Sequence, residues 1–175
     1  MLDISNNSLE QLEHVELSKL SGLVSLKLSN NVLGSIPKYF DRFYALRSLN
    51  LSSNNLSEFP EALRGMNTLV DLDVSFNSIS DLGDIGNFTN LERLWATNNR
   101  LGGPLHASFS KLTNLKEIDA RFNGINNMDV VSQLPKLEML MLGHNSISAF
   151  EGSFARLKVL YLNHNPVTRL SLIHI

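Results

Sequence analysis

Two histidines, His144 and His164, each stand directly before an asparagine, in matching surroundings. Imidazoles brought close in this way are candidate zinc ligands. A structural or catalytic zinc site needs at least three protein ligands, and no third accompanies this pair. Four acids, Asp71, Asp73, Glu117 and Asp119, offer oxygens suited to a hard cation. Arg93 and Arg121 are interleaved with them, so a mixed charged surface is the better account. The chain has no cysteine, which removes thiol catalysis, cysteine-based metal sites and disulfides together. It also carries no glycine-rich phosphate loop, nucleophile elbow or zinc-protease motif. The expectation is a chain with no catalytic, metal or cofactor residues, and no small-molecule substrate in this segment. Its function would then lie on a surface.

The elements that place these side chains follow from a repeat. Asn7, Asn31, Asn54, Asn77, Asn99, Asn123, Asn145 and Asn165 recur at gaps of 20 to 24 residues. Each closes the phrase L-x-x-L-x-L-x-x-N-x-L, seen in full at Leu23-Leu26-Leu28-Asn31-Leu33 and Leu46-Leu49-Leu51-Asn54-Leu56. The leucines at the fourth and sixth places alternate with polar residues, which is the period of a short strand with one buried face. A repeat of this length and wording resembles the leucine-rich repeat. That resemblance implies an α/β solenoid of about eight repeats, a curved right-handed coil. Its parallel sheet lines the concave face, and short helical or 3₁₀ turns or extended segments form the convex face. The asparagine after each strand can both donate and accept. A stack of them would form a ladder bonding the backbones of adjacent turns.

Further apolar positions complete the expected core. Leu12, Ile36, Phe59, Leu82, Met128, Phe150 and Leu170 lie beyond the phrase, with Leu105 standing in where Pro104 breaks the column. Phe40, Leu63, Phe88, Phe109, Leu134 and Phe154 add to it from the return segments, as core filler rather than a binding site. Ala96 and Ala120 replace leucine at the inward sixth position. Larger neighbours such as Trp95 or Phe122, or a change of curvature, would compensate.

The third, fifth and seventh places of each phrase face outward. In the first repeats they are small and polar. From Asp71 onward the face gains Asp71, Asp73, Arg93, Trp95, Glu117, Asp119, Arg121, Met139, Met141 and Tyr161. Tryptophan, tyrosine, methionine and arginine on one face match the composition of interface centres. These ten residues are the expected partner-binding site. The plainer alternative is that Trp95 folds down over Ala96 and does nothing else.

The bulk composition fits this reading. The chain has 175 residues, 43% hydrophobic and 18% charged, enough for one domain with a core. No apolar run is long enough to span a membrane. The net charge of −2 gives no basic footprint for nucleic acid. Absence of cysteine points to a reducing compartment, while sequons at Asn6, Asn55 and Asn87 point the other way. Residues 1–170 read as a single repeat domain, a piece of a longer protein uncapped at both ends. Residues 171–175, Ser-Leu-Ile-His-Ile, read as a tail outside the repeat, and a non-native scar would account for it.

The later repeats carry a narrower resemblance. Leu94-Trp-Ala-Thr-Asn-Asn99, Glu117-Ile-Asp-Ala-Arg-Phe-Asn123, Met141-Leu-Gly-His-Asn145, Phe150-Glu-Gly-Ser-Phe154 and Val159-Leu-Tyr-Leu-Asn-His-Asn-Pro-Val-Thr-Arg169 resemble the last repeats before the catalytic region of fungal adenylate cyclases. That resemblance implies a non-catalytic protein-interaction module in cAMP signalling. It also implies a Ras-type small GTPase as partner and a cytoplasmic setting, peripheral to the membrane through that partner. The competing readings are a stand-alone repeat scaffold, a phosphatase regulatory subunit and a receptor ectodomain.

Overall fold

A computed structural model describes residues 1–12 and 16–173; the last two tail residues lie outside them. Among the described residues the strands, in chain order, are β1 (Leu2–Asp3), β2 (Ser25–Lys27), β3 (Ser48–Asn50), β4 (Asp71–Asp73), β5 (Arg93–Trp95), β6 (Gly102–Pro104), β7 (Glu117–Asp119), β8 (Gly124–Asn127), β9 (Met139–Met141), β10 (Ala149–Ser153), β11 (Val159–Tyr161) and β12 (Arg169–Ile173). One parallel sheet runs β1-β2-β3-β4-β5-β7-β9-β11. Two small parallel ladders, β6-β8 and β10-β12, lie beside it. The fold is a leucine-rich-repeat solenoid.

Register is strict along the main sheet. Leu26, Leu49, Leu72, Leu94, Ile118, Leu140 and Leu160 face one another strand to strand. The alternation of the phrase puts this column inward, and all but the last are buried. Each such side chain stabilises the fold by about 1.5–3 kcal/mol relative to exposure.

The asparagine column does what its chemistry predicts. Asn54 Oδ1 accepts from Leu33 N at 3.0 Å, and its Nδ2 donates to Leu28 O in the preceding repeat and Leu51 O in its own. The same pattern recurs at Asn31, Asn77, Asn99, Asn123, Asn145 and Asn165. Among the described residues Asn7 bonds only within its own turn, to Ile4 O and Ser5 O. These bonds satisfy backbone groups that would otherwise be buried bare at every turn.

The return segments are short 3₁₀ turns at Glu16–Lys19, Lys38–Arg42, Glu61–Leu63, Ala107–Lys111 and Asp129–Gln133. Pro37 (φ −63°) and Pro60 (φ −64°) lead into two of them. Phe40, Leu63 and Phe109 project from these turns into the core, and Phe88 and Leu134 are buried beside them. Leu105 packs partly buried against the core, as the break at Pro104 requires.

Three sequence expectations need correction. Ser171–Ile173 are not outside the repeat: β12 pairs with β10 one repeat earlier, Leu170 opposite Phe150 and Ser171 opposite Glu151. Leu170, expected as core, is 59% exposed because no later turn packs over it among the described residues. Phe122 does not fill the space beside Ala120. It is 48% exposed and stacks on His144 instead.

Candidate functional site

The outward residues of the sheet form two columns. Asp71, Arg93, Glu117 and Met139 face one another across β4, β5, β7 and β9. Asp73, Trp95, Asp119, Met141 and Tyr161 form the second, reaching β11. The structure therefore brings nine of the ten expected partner-binding residues together in the sheet, with Arg121 just after β7. Parallel strands lie about 4.8 Å apart, so column neighbours are in side-chain reach.

The charges within this face are largely paired. Arg93 Nε lies 2.6 Å from Asp71 Oδ1. Arg121 grips Asp119 at two points, Nε to Oδ1 at 2.9 Å and Nη2 to Oδ2 at 2.6 Å. Trp95 Nε1 donates to Glu117 Oε1 at 3.1 Å, which anchors the indole on the face. Asp73 Oδ1 accepts the Ser75 backbone N–H at 2.9 Å. The four acids are thus held by different partners, and among the described residues no group of three or more potential metal ligands gathers.

Asp119 corrects a sequence expectation. Its column faces outward, yet the residue is only 5% exposed, covered in place by its clasp with Arg121. Burial pushes its carboxyl up, but hydrogen bonds from the Arg121 guanidinium and backbone N–H outweigh that, and the net direction is down. Arg121 is the exposed member of the pair; the Asp119 contact raises its affinity for the proton further. On the neighbouring column, the ion pair with Asp71 likewise raises Arg93.

A feature not legible in the strand pattern lies along the rim. The residue before each ladder asparagine has a left-handed backbone: Asn6, Asn30, Ser53, Phe76, Asn98, Phe122, His144 and His164, with φ between 53° and 58°. The conformation aims successive side chains into one ridge. Asn30 Nδ2 donates to Asn6 Oδ1 at 3.0 Å. Phe122 stacks on His144 with centroids 4.2 Å apart, and His144 on His164 at 4.1 Å. The two histidines do meet, but as face-to-face rings. Phe76, 52% exposed, stands on the same ridge. Asparagine tolerates this conformation, so Asn6, Asn30 and Asn98 were the available signal. Phenylalanine there is unfavourable and marks a position where an exposed ring is kept despite the backbone cost.

The opposite flank of the strands carries cross-repeat ion pairs: Lys116 Nζ to Glu92 at 2.8 Å and Lys158 Nζ to Glu138 at 2.7 Å. The lysines hold both glutamates below their ordinary range. These pairs are solvent-exposed and contribute little stability.

Comparison with known proteins agrees with the geometry. Models of the leucine-rich-repeat family match residues 1–56, 35–79 and 90–112. The chain belongs to the leucine-rich-repeat family. Within it, the chain is 50% identical over 173 residues to an adenylate cyclase of Podospora anserina, covering 98% of this chain and 8% of that protein. An adenylate cyclase of Neurospora crassa is 53% identical over 68 residues, 39% of this chain and 3% of that one. The chain therefore spans only a small part of the curated relatives it matches. Among solved structures, the ectodomain of the Arabidopsis thaliana receptor kinase GASSHO1/SCHENGEN3, in complex with Casparian strip integrity factor 2, superposes with TM-score 0.81 at 30% identity, over 94% of this chain and 21% of that one. An internalin of Listeria monocytogenes superposes with TM-score 0.78 at 23% identity, over 94% and 52%. The second likeness speaks to the fold alone. No described helix is long and apolar enough to cross a membrane.

Proposed function

We propose that this chain is the non-catalytic repeat region of an adenylate cyclase, and that it docks a Ras-type small GTPase on its concave face. The observation that carries the reading is the pair of outward columns. Arg93, Trp95, Met139, Met141 and Tyr161 stand on β5, β9 and β11 of one sheet, half-buried or exposed, while the strands before β4 carry small polar residues and one lysine. Residues of these types dominate binding energy at interface centres. Identity to the Podospora protein along nearly the whole chain supports the parent assignment. In such a parent, cyclase chemistry would belong to another region, and these repeats would act in the cytoplasm, meeting the membrane through the GTPase.

The test is capture of a Ras-type GTPase, loaded with a non-hydrolysable GTP analogue or with GDP, on the immobilised chain. The expected result is retention of the GTP form, reduced at least about tenfold by Trp95→Ala with Met141→Ala, a loss typical of interface centres. Both side chains are on the outward face, so circular dichroism should show the fold intact. Equal retention by wild type and variant, or no retention of either nucleotide form, overturns the reading.

A further inference from the structure

Beside Trp95 the concave face dips into a groove of about 550 Å³, lined among others by Lys27, Asn50, Asp71, Asp73, Phe76 and Trp95. Most of its charges are already neutralised within the chain. Lys27 lies 3.6 Å from Asp3, Arg93 2.6 Å from Asp71, and Arg121 2.6 Å from Asp119. Asp73 is different. Among the described residues its carboxylate is bonded only by the Ser75 backbone N–H, and no cation pairs with it. Its neighbours in the column are Asn50 and Trp95, both neutral.

We infer that this groove takes a basic side chain of the protein partner, an arginine or lysine, at the Asp73 carboxylate beside the Trp95 indole, with an apolar side chain of the same segment against Phe76. The inference rests on the concave face being the docking surface. Charge complementarity selects the occupant. A half-buried carboxylate with no cation beside it gains a charge-assisted bond from an incoming guanidinium or ammonium. An aromatic ring within reach adds a cation–π contribution. Glu117 fixes Trp95 through Nε1, so the indole is positioned before the partner arrives. Phe76 lines the same groove from the rim, where its left-handed backbone holds the ring in solvent. An acidic or neutral segment would leave Asp73 desolvated and unpaired, which costs affinity.

Trp95 is the chain's only tryptophan, so its emission reports this groove directly. The probes are N-acetyl Leu-Arg-Leu amide and its Leu-Glu-Leu and Leu-Gln-Leu counterparts. With wild type, the arginine peptide should change Trp95 emission saturably and bind at least about tenfold tighter than either counterpart. Asp73→Asn, which keeps an acceptor for Ser75 N–H, should erase that preference. Phe76→Asn should weaken all three peptides several-fold. No preference in wild type, or a preference unchanged in Asp73→Asn, overturns the inference. Failure of the GTPase capture with peptide preference intact would sink the functional reading alone. Capture of the GTPase equally by wild type and Asp73→Asn would sink this inference alone.

Discussion

Arg121 closes a two-point clasp on Asp119, two residues earlier in its own chain, and so buries a carboxylate in the outward column of the sheet. The pair ties the turn after β7 to the strand itself. Its acid is covered, while its base is 40% exposed. Asp119→Asn should therefore cost roughly 1–3 kcal/mol near neutral pH, less than a fully buried pair because water re-solvates Arg121. Urea denaturation measures it.

The same clasp sets a pH dependence. The folded Asp119 pKa lies below its ordinary value, so its contribution is complete above that value. It is lost as pH falls from about 5 to below 4. Wild type should lose stability over that window. Asp119→Asn should flatten the slope without abolishing it, because Asp3, Asp84, Glu92 and Glu138 are also held low. Denaturation midpoints across acid pH decide the point; parallel slopes would refute it.

The asparagine ladder should show a strong position effect. Asn145→Ala strands the buried Ile125 N–H and takes one of two ladder bonds from each of the Ala120 and Leu142 carbonyls, which Asn123 and Asn165 still reach, and should cost roughly 1–3 kcal/mol. Asn7→Ala removes bonds only within one exposed turn and should cost less than about 1 kcal/mol. Equal losses in thermal or urea melts would show that cross-repeat bonding is not what the ladder supplies.

The left-handed rim separates two phenylalanines. Phe76→Asn places a tolerant residue at φ 54° and should leave stability unchanged or raise it by up to ~1 kcal/mol. Phe122→Asn relieves the same backbone but loses the His144 stack, an interaction of about 0.5–1.5 kcal/mol. It should therefore be the less stable of the two variants by about 1 kcal/mol. Differential scanning calorimetry compares them.

Glu117 should act on Trp95 rather than on the fold. Glu117→Ala removes the acceptor for the indole Nε1. Trp95 emission should shift to the red and become easier to quench, while stability changes by less than about 1 kcal/mol. An unchanged emission maximum would mean that packing alone holds the ring.

Most of the architecture was legible because the phrase repeats. Leu26, Leu49 and Leu72 could be placed inward, and Asp73, Trp95 and Met141 outward, from the ninth-position asparagine alone; the register pairs them as that count requires. The count fails where a side chain's fate depends on a partner that spacing does not name. Asp119 shares its column with Asp73, yet only Asp119 has an arginine two residues on whose guanidinium closes back upon it. Phe122 has the composition of core, but its left-handed backbone turns it outward.

The sequence alone determined the solenoid, its strand register and the place of every ladder asparagine. Those depend on a local period and on hydrogen-bonding valence, both of which are written in residue order. Only the tertiary structure decided which outward charges are spent within the chain and which, at Asp73, is left available. It also decided that Phe122, His144 and His164 stack into one ridge. Those outcomes depend on side-chain conformation and on distances between successive turns, which no one-dimensional period encodes.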